Sequence, residues 1–576
     1  MKSAMALVGI TRHRTGMTQS IWTRNYLHPV KWDQEFLPLA LHDMFFQSAE
    51  RMGVAAMADF MGRKFSYTEM ALAVRQVARG LQDKGIGKGD HIGLFLPNVP
   101  HYLAAYYGAL AAGATVVNFS PLYTVDELAH QVADSGTTIL VTVSAAALLP
   151  TAIKVLDNSS LKELIVGSVS EALPKAKSWA YRLFKRSEIA TIPVDSRIST
   201  YADLISNDGD YAVHPCDPES DIAQLQYTGG TTGVPKGAML SHQNITANAR
   251  QINMLDPHSR TNRPDQPLDD RILGVLPFFH VFANATVLNR TVANGGEIVM
   301  LPRFEAKAAL AAITRTKVTS LPGVPTMYQA LLDCPDLAKT DFTSLRACIS
   351  GGAPLADELK KRFEAITGAV VIEGYGLTES SGVVSCNPYQ GTNKLGSIGQ
   401  PVPGTDVRLV DKEDPSKQAP EGEAGELIFS GPQVMCGYWN RPEADAEVFL
   451  GKYLRTGDVA TIDEDGFIHI VDRLKDMIAV GGFKVFPSQV EDIIYKHPAI
   501  KEALVIGVAD AYLGEIPRAF VTLQDGATED GAALTAWLNP KLGKHERVQG
   551  VTIMDMLPKT MIGKLDRKAL RMALGS

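Results

Sequence analysis

The residues with the plainest chemical potential lie in Tyr227-Thr-Gly-Gly-Thr-Thr-Gly-Val-Pro-Lys-Gly237. Gly229 and Gly230 let backbone N–H groups turn toward an anion, the hydroxyls of Thr228, Thr231 and Thr232 add donors, and Lys236 adds a point charge. That is the composition of a phosphate cradle. It is not the Walker pattern, because Lys236 is followed by Gly237 where that pattern needs Ser or Thr. Read alone, the same residues also suit a flexible Gly/Thr-rich surface loop.

Further along the chain stand Leu276-Pro-Phe-Phe-His-Val-Phe282, Ser350-Gly-Gly-Ala-Pro354, Glu373-Gly-Tyr-Gly-Leu-Thr-Glu379, Tyr453-Leu-Arg-Thr-Gly-Asp458, Asp472-Arg-Leu-Lys-Asp476 and Pro558-Lys-Thr-Met-Ile-Gly-Lys564. Together with the cradle, and in this order, they resemble the motifs of the adenylate-forming superfamily, which includes the acyl-CoA synthetases. The resemblance spans about residues 225 to 566. It implies that ATP activates a carboxylate as an acyl adenylate, releasing pyrophosphate, and that a thiol then displaces AMP.

The roles of single residues follow from that resemblance. Thr228, Gly229, Gly230, Thr231, Thr232 and Lys236 correspond to the phosphate loop, and Thr231 with Glu379 to the Mg²⁺ ligands, an oxygen-donor pair suited to a hard cation. Gly351, Gly352, Ala353, Glu373, Gly374, Tyr375, Gly376 and Thr378 match the nucleotide slot. Asp458 matches the carboxylate that receives the ribose hydroxyls, and Arg473 matches a nucleotide contact. Lys564 corresponds to the catalytic lysine that neutralises the acid and the α-phosphate, and His280 to a residue at the carboxylate site. Lys475 matches the hinge, and Gly481, Gly482 and Phe483 the loop lining the CoA tunnel. Taken singly, each residue has a plainer reading: Glu379 and Lys564 as solvated charges, Asp458 and the Gly481-Gly482 pair as turn formers, His280 as a core residue.

The elements that must position these groups are legible from periodicity. Short apolar runs alternate with helix-length segments from Ile92 to Val143 and again from about residue 272 to 375, the signature of parallel sheets. The fold class is therefore α/β, with two doubly wound layers to about residue 400. The charge-poor stretch from Ile92 to Val125 reads as a buried helix between core strands, not a membrane span. A small β-rich subdomain is expected over about 401–472, with Glu464-Asp465-Gly466 as a hairpin turn, completing an amino-terminal domain of residues 1–472. A mobile α+β carboxy-terminal domain follows over 473–576, joined by a short hinge at about 472–476. Ser488 and Glu491 have capping-box spacing at the start of SQVEDIIYKH.

The chain has 576 residues, 45% of them hydrophobic and 21% charged, enough for a multidomain enzyme with a large core. Its formal charge of −7 leaves no global footprint for nucleic acid, and none is expected as a partner. Five scattered cysteines without a C-x-x-C pair, and an amino terminus unlike a secretory signal, fit a cytoplasmic protein. Within the superfamily the chain is similar to bacterial long-chain fatty-acid:CoA ligases, which implies ATP, Mg²⁺ and CoA as cofactor and co-substrates and a medium- to long-chain fatty acid as substrate. Asn284 stands four residues after His280, where some long-chain ligases carry a tunnel-gating tryptophan. The rivals are an aryl or other carboxylate:CoA ligase, an acyl-AMP ligase loading a carrier protein, and a non-catalytic nucleotide or fatty-acid binding protein. Residues 174–186 interleave Trp179, Leu183 and Phe184 with Lys175, Lys177, Arg182, Lys185 and Arg186. They suit either a helix docked on the protein's own core or a peripheral contact on the inner face of the membrane. A homodimer is left open.

Overall fold

A computed structural model describes residues 21–228, 235–481, 483–560 and 565–574. The apolar runs of the first half pair into a seven-stranded sheet. In spatial order it contains Ile198–Thr200, Glu163–Gly167, Ile139–Val143, His91–Leu94, Thr115–Asn118, Ile222–Tyr227 and Gly237–Ser241. Only the last strand is antiparallel, turning back on Ile222–Tyr227 as a hairpin. A second sheet has nine strands. Its centre is parallel, running Val370–Tyr375, Ala347–Ser350, Ser320–Gly323, Arg271–Gly274, Glu297–Met300 and Ala56–Phe60, with antiparallel pairings at both edges. Continuous apolar strands such as Ile139–Val143 are buried along their whole length, as parallel strands covered on both faces must be.

The charge-poor stretch is the helix Pro100–Ala111, opened by proline and buried at every position. A helix apolar all round belongs inside a protein, and this one packs between the two layers. Its tyrosines carry hydroxyls into the interior, and each finds a partner. Tyr102 donates to Asn118 Oδ1 at 2.8 Å, Tyr106 to Gln224 Oε1 at 2.9 Å and Tyr107 to Asn289 Oδ1 at 2.8 Å. Among the described residues no helix is long and apolar enough to cross a membrane.

A five-stranded antiparallel sheet follows, built from Asp406–Val410, Gly425–Ser430, Phe449–Leu450, Tyr453–Ile462 and Ile468–Arg473, with the expected turn closing its last hairpin. From Ile478 onward the strands form a separate sheet, dominated by the long hairpin Ile500–Asp510 with Gly514–Leu523. Helices Pro487–Ile494, Gly531–Leu538 and Arg567–Leu574 accompany it. Two small apolar clusters, one around Val505 and Val521 and one around Ile506 and Leu557, form its core.

Two local expectations change. The capping box does not form: the helix starts at Pro487 with Phe486 as its cap residue, so Ser488 already lies inside the first turn. Ser488 instead binds Asp472, and Glu491 is drawn into a buried ion pair with Arg567. In both cases a tertiary partner outcompetes the local one. The segment 174–186 contains a helix, Lys175–Phe184, but its aromatic face does not dock on the core. Trp179 is 66% and Phe184 75% exposed, and Tyr181 makes the contact with the core instead.

Arg290 is only 2% exposed, and its guanidinium binds Asp270 at 2.6 Å and Asp256 on its other side. It ties the end of the helix His242–Leu255 to the start of the strand Arg271–Gly274. Arg290→Met would leave two buried carboxylates without a cation, and urea denaturation is expected to show a loss of about 3–5 kcal/mol. Arg79→Met, which breaks an exposed pair with Asp83 and an exposed bond to the Asp210 carbonyl, should cost no more than about 1 kcal/mol.

Candidate active site

The phosphate-cradle segment sits at the end of the hairpin. Tyr227 pairs with Gly237, and the N–H of Thr228 donates to the Lys236 carbonyl at 2.9 Å, so the loop between them is closed at its base. Gly229, Gly230, Thr231 and Thr232 lie outside the described residues, as do Gly482 and Lys564. Alongside the hairpin runs the segment 435–439, hydrogen bonded through Trp439 N to the Gly237 carbonyl and Met239 N to the Gly437 carbonyl, both at 2.8 Å. It brings Tyr438 under the Lys236 ammonium, 5.2 Å from the ring centre, and the Tyr438 hydroxyl donates to Glu379 Oε1 at 2.7 Å. Two motifs far apart in sequence, at Lys236 and Glu379, are thus joined through a tyrosine that no motif reading singled out.

Glu379 belongs to the second layer, just past the carboxy end of the strand Val370–Tyr375. There the chain makes a close crossing: a Cβ on Gly376 would lie 1.5 Å from the Gly382 carbonyl oxygen, so only glycine fits. Gly351 meets a similar constraint, with the Phe282 ring 2.9 Å from where its Cβ would be. Gly352 and Ala353 continue that turn at the end of the strand Ala347–Ser350, and Gly374 and Thr378 flank the crossing. The residues expected in a nucleotide slot therefore cluster at the carboxy ends of parallel strands, where open α/β sheets bind ligands.

Asp458 lies on the strand Tyr453–Ile462 and is 2% exposed. Its Oδ2 accepts from the Tyr375 hydroxyl, and its Oδ1 lies 2.9 Å from Arg473 Nε. The Asp458 carboxylate holds the Arg473 guanidinium above its ordinary value, while burial raises the Tyr375 phenol. Lys475 follows two residues later, its ammonium lowered chiefly by burial and next by Arg473. Gly481 and Phe483 lie on a hairpin turned away from this cluster: Phe483 is 61% exposed and stacks on His545, and Lys484 pairs with Glu413 at 2.8 Å.

His280 caps the short helix Val281–Ala283, its Nδ1 accepting from the Phe282 N–H at 3.3 Å, which puts the ring proton on Nε2 in the neutral form. The loop before it is held from the other layer. Asn98 donates to the Gly274 and Leu276 carbonyls and accepts from the Phe278 N–H, and Gln226 donates to the Phe279 carbonyl at 2.8 Å. Asn98 and Gln226 escaped the sequence reading because nothing in a lone amide indicates which strand end it will face. Asn284 is 2% exposed and shares Tyr106 and Asn289 as neighbours, so the position is polar and buried.

The oxygen chemistry at Glu379 suits Mg²⁺. Glu379 supplies a carboxylate oxygen, the hard ligand type this ion takes, and among the described residues Oε2 accepts no hydrogen bond. The residue chemistry fits the ion.

Fold and site together have the form of a nucleotide-using enzyme in which Lys236 of one α/β layer meets Glu379 of the other through Tyr438. The chain belongs to the AMP-binding enzyme family: the AMP-binding enzyme model matches residues 45–439 and the AMP-binding enzyme C-terminal domain model residues 489–564. It is 38% identical over 558 residues to a long-chain-fatty-acid–CoA ligase of Bacillus subtilis, covering 96% of this chain and 98% of that one. It is 35% identical to a feruloyl-CoA synthase of an Amycolatopsis species, covering 89% of this chain and 95% of that one. Among solved structures, ATP-bound MatB from Rhodopseudomonas palustris superposes with a TM-score of 0.81 at 28% identity, covering 93% of this chain and 99% of that one.

One nucleotide-slot residue yields a pH signature. Burial pushes the Glu373 carboxyl up to about 7, against an ordinary value of 4.5. Between those values the folded chain holds a proton that the unfolded chain has lost, so this group's contribution falls as pH rises and is lost above about 7. Glu373→Gln removes the titration. Melting curves between about pH 5 and about pH 8 should be flatter for the variant, and it should melt above the parent at the alkaline end.

Proposed function

We propose that this protein is an ATP-dependent fatty-acid:CoA ligase acting on medium- to long-chain acids. It is an AMP-forming acid–thiol ligase, with ATP and CoA as co-substrates. The near full-length likeness to a long-chain-fatty-acid–CoA ligase carries the reading, and the convergence of Lys236, Glu379, Tyr375 and Asp458 supports it.

In this reading the backbone and hydroxyls of residues 228–232 and the Lys236 ammonium receive the phosphates. Asp458 takes the ribose hydroxyls, already oriented by Tyr375 and Arg473. Gly351, Gly352, Ala353, Gly374 and Gly376 form the adenine slot, with Gly351 and Gly376 also making room for Phe282 and Gly382. His280 faces the acid, and Lys564 neutralises charge shared between the carboxylate and the α-phosphate as the acyl–phosphate bond forms and pyrophosphate leaves. Glu379 and Thr231 would hold Mg²⁺, which supplies charge neutralisation on the phosphates when bound.

The second half-reaction needs a different arrangement, because a thiol must reach the acyl carbon. The carboxy-terminal domain, residues 473–576, pivots at Lys475, and Gly481, Gly482 and Phe483 swing in to line the passage for the CoA arm. The exposure of Phe483 supports reading the present arrangement as the adenylation one. An aryl acid is the alternative substrate, favoured by the polar burial of Asn284 at the acyl side of His280.

The test is AMP and pyrophosphate release with ATP and Mg²⁺ over acetate, octanoate, palmitate, oleate and 4-coumarate, with and without CoA. CoA-dependent turnover is expected to peak at octanoate or longer and to fall at least about a hundredfold in Lys564→Ala. Turnover confined to 4-coumarate would replace the substrate.

The helix Lys175–Phe184 is proposed as a membrane-surface contact, since Trp179, Leu183 and Phe184 stand exposed beside Lys175, Lys177 and Arg186. Co-sedimentation with phosphatidylglycerol vesicles should weaken in Lys185→Glu with Arg186→Glu and disappear at high salt. Equal binding by parent and variant would exclude this patch.

A further inference from the structure

The helix Pro487–Ile494 lacks a side-chain cap of its own, since Phe486 stands at the cap position. The first N–H groups of a helix need acceptors, and a carboxylate is the best available. Here the acceptor comes from the far side of the Lys475 hinge. The Ser488 N–H donates to Asp472 Oδ2 at 2.9 Å. The Ser488 hydroxyl lies 2.7 Å from that same oxygen and 2.7 Å from the Val471 carbonyl, sharing one proton between two acceptors. Asp472 is only 5% exposed, so these bonds are shielded from solvent.

The pattern on the other side of the hinge differs. Asp476 pairs with Arg571 at 3.2 Å and lies 3.9 Å from Arg567, both on the helix Arg567–Leu574. That helix follows the hinge, as Asp476 does, so a rotation at Lys475 carries these groups together. Val471 and Asp472 belong to the strand Ile468–Arg473 of the five-stranded sheet and precede the hinge. Rotation therefore separates Ser488 from both of its acceptors. Asp472 also accepts from the Arg473 N–H through Oδ1 at 2.7 Å, and the Arg473 side chain holds Asp458. The contact thus links domain position to the candidate ribose carboxylate within two residues.

We propose that Ser488 is a positioning residue: its bonds to Asp472 and Val471 form a latch that holds the carboxy-terminal domain in the adenylation arrangement and is released for thioester formation. The proposal rests on the two-step ligase reading for its kinetic consequence, but not for its conformational one. Ser488→Ala deletes the hydroxyl and keeps the backbone bond. Ser488→Thr retains a hydroxyl at the same point.

Two measurements on the full chain test it. In the ligand-free protein, tryptic cleavage after Arg473 or Lys475, followed by mass spectrometry, is expected to be about tenfold faster in Ser488→Ala, with other sites unchanged and Ser488→Thr at the parent rate. With palmitate, acid-dependent ATP–pyrophosphate exchange should slow by about the same factor, while CoA-dependent consumption of supplied palmitoyl-AMP holds its rate or rises. Unchanged cleavage in Ser488→Ala overturns the latch, and so does equal slowing of both half-reactions. If the parent activates no acid, the ligase reading fails, and the cleavage comparison still decides whether Ser488 holds the hinge.

Discussion

A buried carboxylate needs partners, and Asp458 draws three parts of the chain together to obtain them. Tyr375 reaches it from the end of a parallel strand in the nine-stranded sheet, and Arg473 from the last strand of the antiparallel sheet. Left without either, an ionised group at 2% exposure would be strongly disfavoured. That charge and the apolar residues Val407, Leu427, Phe429 and Ile468, which share the main core, fix the β-rich sheet against the α/β layers.

The two layers meet on similar terms. Parallel sheets put their loop-bearing carboxy ends on one side, but nothing in that rule brings two sheets into register. Helix Pro100–Ala111 does so, buried on every face, and the amides of Asn98 and Gln226 fasten the His280 loop across the seam. The cleft is consequently lined by backbone held from both layers, which is the rigid support a reacting centre requires.

How much of this could be read beforehand depended on where the determining partner lay. The apolar runs of 92–143 and 272–375 became the strands and helices they implied, because burial on both faces dictates composition locally. The turn at Glu464-Asp465-Gly466 was equally local. Of the motif residues, Tyr375 and Arg473 meet at Asp458, and Lys236 and Glu379 meet through Tyr438. Tyr438, Asn98 and Gln226 were not legible, since each acts through a contact more than fifty residues away. Ser488 and Glu491 show the converse error: a correct local pattern was overridden by Asp472 and Arg567, stronger acceptors and donors that only folding supplies.

The row of tyrosines on the central helix has an evolutionary corollary. Tyr107 and Asn289, or Tyr106 and Gln224, are matched donor and acceptor in the buried interior. Changing either member alone strands a polar group in the interior, and changing both still takes the Asn289 donor from Asn284 or the Gln224 donor from Gln226. Sequence drift at this seam therefore has to pass in linked groups, and the layer interface should behave as a slow clock beside the apolar positions that surround it.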